Sequence, residues 1–180
     1  LLDRLAGAGA DAVRLNYVHG GVLSWPGVKA MAPRLAAREM HVQMLMNAHR
    51  HMDEIADDIA GLGVDVVFDH IGWPDLAAGP GEAGFRRLCD LLADGRAWVK
   101  LSGLYRLCDA PYDAADAHVA ALVAANPERC LWGSDWPHLM LADAAMPDAG
   151  RLLDAFHRVV TDDATRRRIL VENPGRLFRF

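Results

Sequence analysis

The feature that most constrains this chain is a repeated alternation of two patterns. Short apolar, β-branched runs at Val13 to Asn16, His41 to Met46, Val64 to Asp69, Trp98 to Ser102 and Cys130 to Ser134 recur at roughly 30-residue intervals. Each gap carries apolar residues at helical spacing, at Val28 to Met40, Asp53 to Ala60, Phe85 to Ala93 and Ala114 to Ala125. Strand and helix alternating at this period mean βα units around a parallel sheet. The runs are apolar nearly throughout, as expected for strands covered on both faces. The stretch from Pro147 to Phe180 reads as two helices, the second from about Asp162 to Val171.

This periodicity fits both an open doubly wound sheet and a barrel. The residues ending the runs favour the barrel. Asn16, Asn47, Asp69-His70, Ser102 and Ser134-Asp135 all fall at or just past a C-terminal strand end. Barrels draw catalytic groups from that end of several strands, whereas a doubly wound sheet has one switch-point crevice. The expected fold is therefore α/β, a partial (β/α)8 TIM barrel.

Composition removes several function classes. The net charge is −5, and the densest basic run, Arg166-Arg167-Arg168, leads into apolar residues as a helix face does. No nucleic-acid partner is expected. No apolar run reaches the length of a membrane span, so no membrane partner is expected either. Cys89, Cys108 and Cys130 form no C-x-x-C pair and fit a reducing, cytoplasmic compartment. There is no G-x-S-x-G elbow and no phosphate-binding glycine loop.

Four places can carry chemistry. His70, in Asp69-His70-Ile71-Gly72-Trp73-Pro74, projects from a strand end, where a neutral imidazole binds a metal or polarises a carbonyl. Asp135, in Trp132-Gly133-Ser134-Asp135-Trp136-Pro137-His138, can take a proton from water. Trp136 and Pro137 are expected to shield it and raise its pKa. Tyr105 and Arg106 follow the fourth run and can hold a carboxylate, and Lys100 adds positive charge if it points inward. Arg14 lies inside an apolar run, so it must face a pocket or meet Asp69 or Asp135. The His49-Arg50-His51 triplet has the form of a metal pair but lies past its strand and reads as an exposed loop. His19, His41, His118 and His157 have no constellation around them and read as structural or exposed.

Together these blocks resemble the amidohydrolase-related family, within it the branch of 2-pyrone-4,6-dicarboxylate lactonases and related sugar-lactone and muconolactone hydrolases. The matching residues are Val13 to Val18, His41-Val42-Gln43, Val66 to Gly72, Trp98 to Gly103, Tyr105-Arg106, Trp132 to His138 and Glu172 to Phe178. The resemblance implies that the five runs are strands four to eight, and that residues 1–180 are the C-terminal part of one barrel domain. The chain also starts within a helical pattern at Leu1-Leu2-Asp3-Arg4, as a truncated chain would.

The resemblance further implies lactone hydrolysis by water, with a carboxylated or sugar lactone as small-molecule substrate. Asp135 would be the base, and His70 a metal ligand or carbonyl polariser. Arg14, Tyr105, Arg106 and His138 would line the substrate pocket. His70 and Asp135 would be the metal ligands if a divalent ion such as Zn²⁺ is used; members of the branch differ in needing one. The chain departs from the pattern in three ways. No H-x-H precedes Arg14, Trp73 stands where lactonases for dicarboxylated pyrones tend to have Arg, and Leu104 occupies a position that is often Pro. The alternatives are a metal-dependent decarboxylase of the same superfamily and a catalytically incomplete fragment. The open edges of such a fragment would pair with other copies into a homo-oligomer.

Overall fold

The structure is a computed structural model that describes residues 1–141 and 145–180. A short helix, α1 (Leu2–Gly7), leads into five strands: β1 (Ala12–Asn16), β2 (His41–Leu45), β3 (Val66–Phe68), β4 (Trp98–Leu101) and β5 (Cys130–Trp132). All neighbours pair in parallel, in the order β1-β2-β3-β4-β5. Helices α2 (Trp25–Ala36), α3 (Ala48–Ile59), α4 (Ala83–Ala93) and α5 (Asp116–Ala125) make the crossovers.

The strand order decides between the two candidate folds. Parallel crossovers are right-handed, so strands laid down strictly in order place every helix on the same side. A doubly wound sheet must reverse its order to put helices on both sides. This sheet is an arc of a barrel, as the strand-end residues suggested.

Alternation along each strand then makes two different surfaces. Outward-facing Val42, Met44, Val66, Phe68, Val99, Leu101 and Cys130 are buried in one large core with Val28, Leu35, Met52, Ile55, Leu88 and Leu92 of the helices. Inward-facing Val67, Trp98 and Leu131 form a smaller layer with Leu177. The next inward positions are polar, Asp69 two residues beyond Val67 and Lys100 two beyond Trp98, while Arg14 and Gln43 lie in register with Val67 itself. A hydrophobic floor thus underlies a charged layer near the C-terminal strand ends.

Several boundaries differ from the sequence reading. Helix α2 starts at Trp25 because Ser24 caps it, its side chain accepting from the Gly27 N–H. Helix α3 begins at Ala48, five residues before the expected Asp53, without a side-chain cap that would mark its start. The His49-Arg50-His51 triplet is therefore in the first turn of a helix and not in an exposed loop. His51 Nδ1 accepts from the Asn47 N–H at 3.1 Å, and its ring lies 4.9 Å from that of Tyr17.

After β5 there are three helices where two were expected: α6 (Ala149–Val159), α7 (Asp163–Arg167) and α8 (Asn173–Phe178). A single π turn, Arg168–Glu172, joins the last two. Buried Asn173 explains the third. Its side-chain amide donates to the Pro127 and Cys130 carbonyls at 2.8 and 2.7 Å, pinning α8 against the foot of β5.

Candidate active site

The end of β3 carries an unusual backbone. His70, Ile71, Gly72 and Trp73 all have left-handed φ, at +54°, +51°, +76° and +45°. A left-handed conformation costs an L-residue about 1–2 kcal/mol, and a β-branched one such as Ile71 is a genuine outlier. The turn is held by Gly72 N–H to the Asp69 carbonyl at 3.0 Å and Trp73 N–H to the His70 carbonyl at 2.8 Å. Strain of this kind persists where surrounding packing over-determines it, and it concentrates at functional sites. Its result is to lift the His70 ring out of the strand and toward β4.

Just past β4, Ser102 Oγ lies 3.0 Å from His70 Nδ1. Gly103 follows at φ +65°, and a Cβ there would stand 2.5 Å from His70 Nδ1. Only glycine both takes that conformation and lets the imidazole approach so closely. Burial holds the His70 pKa below the ordinary value of 6.5, despite the opposing pull of Asp135 and Asp69. The ring is neutral at pH 7, so its 3.8 Å approach from Nε2 to Asp135 Oδ2 is not an ion pair at that pH.

Asp135 follows β5, also with left-handed φ, +63°. Its Oδ2 accepts from Tyr105 Oη at 2.6 Å and from Arg106 Nε at 2.8 Å. Burial pushes its pKa up, but the Tyr105 hydrogen bond, His70 and Arg106 together outweigh that, and the net shift is downward. This corrects the expected upward shift. Trp136 is 78% exposed and does not shield the carboxylate, because the chain turns its indole outward. Burial and the Asp135 hydrogen bond push the Tyr105 phenol upward, keeping it protonated and a donor.

Beneath His70, Asp69 is buried between two cations. Arg14 Nη2 lies 2.9 Å from Oδ2 and Lys100 Nζ 3.1 Å from Oδ1, while Gln43 donates to Oδ2 at 3.0 Å. Arg14 therefore meets Asp69, one of its two expected partners, and Lys100 points inward. These groups open into an inner cleft of about 230 Å³ lined by Arg14, His70, Lys100, Ser102 and Asp135 among others. An outer cleft of about 360 Å³ continues from it and adds His19, Trp73 and Arg106. A larger depression at the opposite strand ends has its arginines already engaged, Arg129 with Asp65 and Arg179 with Glu39.

Not every expected residue reaches the cleft. His138 is buried at 5% exposure, edge-on to Tyr105 at 5.2 Å between ring centres, and borders neither cleft. It braces Tyr105 from behind, because its backbone turns back to donate to the Asp135 carbonyl at 2.9 Å. His19, read as structural or exposed, is exposed but borders the outer cleft, edge-on to Trp73 at 6.3 Å. No sequence spacing links these two residues.

Comparison with known proteins places this geometry. A family profile described as Amidohydrolase matches residues 1–180. The chain belongs to the amidohydrolase family. It is 41% identical over 130 residues to a 4-sulfomuconolactone hydrolase of Rhizobium radiobacter, covering 71% of this chain and 44% of that protein. It is 32% identical over 190 residues to a 2-pyrone-4,6-dicarboxylate hydrolase of Comamonas testosteroni, covering 98% and 62%. A crystal structure of an Agrobacterium tumefaciens protein superposes with a TM-score of 0.86 at 28% identity, covering 99% of this chain and 64% of that one. The chain thus spans less than two thirds of the length of these relatives.

The metal question is one of donors. Among the described residues no three His, Cys, Asp or Glu side chains come together in a way that would hold an ion. His70 and Asp135 provide two, and a catalytic zinc takes three protein ligands. The residues of this amidohydrolase chain do not by themselves fit a metal.

Buried histidines make stability pH-dependent. His41, His70 and His118 are all held below 6.5, with burial the largest cause in each. Below that pH the unfolded chain takes up protons that the folded chain refuses, so stability falls as pH drops through 6.5. Urea midpoints should decrease between about pH 7.5 and 5.5, and equal midpoints would contradict the assignment.

Proposed function

We propose that the whole protein of which this chain is part opens a lactone by water attack, with a small anionic lactone as substrate. The observation that carries this is the meeting of His70 and Asp135 at one strand-end rim, 3.8 Å apart, above the Arg14 and Lys100 cations. The naming of the relatives for lactone hydrolysis supports the same reading.

Asp135 accepts a proton from water as the oxygen attacks the lactone carbonyl. Its depressed pKa keeps it ionised at neutral pH. In the His70 tautomer with hydrogen on Nε2, Nδ1 accepts from Ser102 and the Nε2–H faces the developing oxyanion. The tetrahedral adduct collapses by breaking the ring C–O bond, and Asp135 returns its proton to the departing alkoxide. One water is consumed and one hydroxy acid is formed. Arg14, Lys100 and Arg106 hold substrate carboxylate, while Tyr105 fixes Asp135.

A divalent ion, if the whole protein holds one, draws its remaining ligands from outside this chain. The chain is read as the C-terminal part of one barrel domain, in a cytoplasmic protein that associates as a homo-oligomer. No helix among the described residues is long and apolar enough to cross a membrane. The test is turnover of carboxylated and sugar lactones by the whole protein, followed by proton release. Absence of ring opening across such a panel, with CO₂ released from muconate-like acids, would transfer the assignment to a decarboxylase.

A further inference from the structure

The two connected clefts differ in chemistry. The inner one is polar. The outer one shares Arg14, His70 and Asp135 with it but is walled by Trp73, Trp136, Leu139 and Met140. Trp136, Leu139 and Met140 are 78%, 64% and 72% exposed, so the mouth presents apolar surface to solvent. Exposed apolar surface gathered beside a charged site is a mark of ligand binding.

Trp73 is the most constrained member of this wall. It closes the left-handed turn that begins at His70, where positions three apart lie one above the other. The two rings are 5.7 Å apart, and His19 meets the same indole edge-on at 6.3 Å. A bulky residue in a left-handed conformation is costly, and this one is braced at a cleft. The backbone strain that aims His70 also sets the indole beside it.

Charge limits what the floor accepts. Arg14, Lys100 and Arg106 face the two carboxylates of Asp69 and Asp135, leaving one positive charge in excess. A single added carboxylate balances it. A second anionic group at the mouth would meet indole and aliphatic side chains there, and the two cations bordering it, Arg14 and Arg106, are already paired with Asp69 and Asp135.

We propose that Trp73 is a specificity-determining residue and that the substrate carries one carboxylate and a flat apolar substituent, aromatic or unsaturated, seated against the Trp73 indole. This rests on the lactone reading and sharpens it. The reacting carbonyl lies where the clefts join, at His70 and Asp135, the carboxylate points to Arg14, and the substituent points outward.

Paraconate and phenylparaconate, γ-lactones with one carboxylate that differ by a phenyl ring, test this on the whole protein. Phenylparaconate should show a kcat/KM about tenfold higher, carried by KM, with a matching ratio of calorimetric dissociation constants. Trp73→Ala should bring both ratios close to one, and Trp73→Phe should restore most of the preference. The Phe variant keeps the test decisive if the Ala variant folds poorly. Equal use of the two lactones by the unaltered protein, or a preference that survives Trp73→Ala, overturns the inference and leaves lactone hydrolysis standing. Binding that favours phenylparaconate through Trp73 without any ring opening supports this subsite and sinks the lactone reading instead.

Discussion

Asp135→Asn should lower the kcat of the whole protein on its lactone by about a thousandfold, the scale expected for a positioned general base. The substitution is nearly isosteric. An Asn oxygen still accepts from Tyr105 Oη and Arg106 Nε, which now bond Oδ2 at 2.6 and 2.8 Å. The cleft should hold its shape and KM should change little, so the loss reports proton transfer. A removed binding contact would instead raise KM. Because the Asp135 pKa is held below 3.8, kcat/KM of the unaltered protein should show no acid limb from this group near neutrality, and activity should fall only as pH descends through the depressed value. A variant keeping more than about a tenth of the activity would remove Asp135 from the base role.

Gly103→Ala should be nearly as damaging, through geometry alone. A Cβ at residue 103 would lie 2.5 Å from His70 Nδ1 and 2.6 Å from its Cγ, at a backbone φ of +65°. Both the ring and the backbone must yield. Moving the imidazole breaks its 3.0 Å contact with Ser102 and carries Nε2 away from Asp135. Displacements near 1 Å cost about a hundredfold in rate, and overpacking a buried site costs about 1–3 kcal/mol. The expected outcome is a hundredfold drop in kcat/KM with a lowered urea midpoint. A crystal structure of the variant should show the His70 ring rotated. Full activity would mean that the position of the ring is not essential.

The two clearest candidate site residues were legible for the same reason. His70 stood out because a polar group followed an apolar run and preceded Gly72 and Pro74, and Asp135 for a similar placement after β5. Arg14 was legible because a charge in a buried strand needs a partner, and Asp69 is that partner at 2.9 Å. The direction of the Asp135 shift was not legible. It depends on Tyr105 and Arg106, some 30 residues away in sequence, outweighing burial in space. The placement of His138 was not legible, because adjacency to Asp135 does not tell whether a side chain faces the cleft or the packing behind it. The left-handed run from His70 to Trp73 was also invisible, since Ile and Trp carry no local preference for that conformation.

What the chain's order of residues settled by itself was the alternation of strand and helix and the membership of its blocks in one family, and it marked the strand ends as the candidate place for chemistry. These follow from period, punctuation and local residue type, which act over short distances. The tertiary structure alone decided that the strands lie in sequential order, that burial lowers the His70 pKa while hydrogen-bonded partners lower that of Asp135, and that Trp73 stands beside His70 at the outer cleft. Each of those depends on which groups remote in sequence are brought within a few ångströms, because electrostatic and packing energies are set by distance in space.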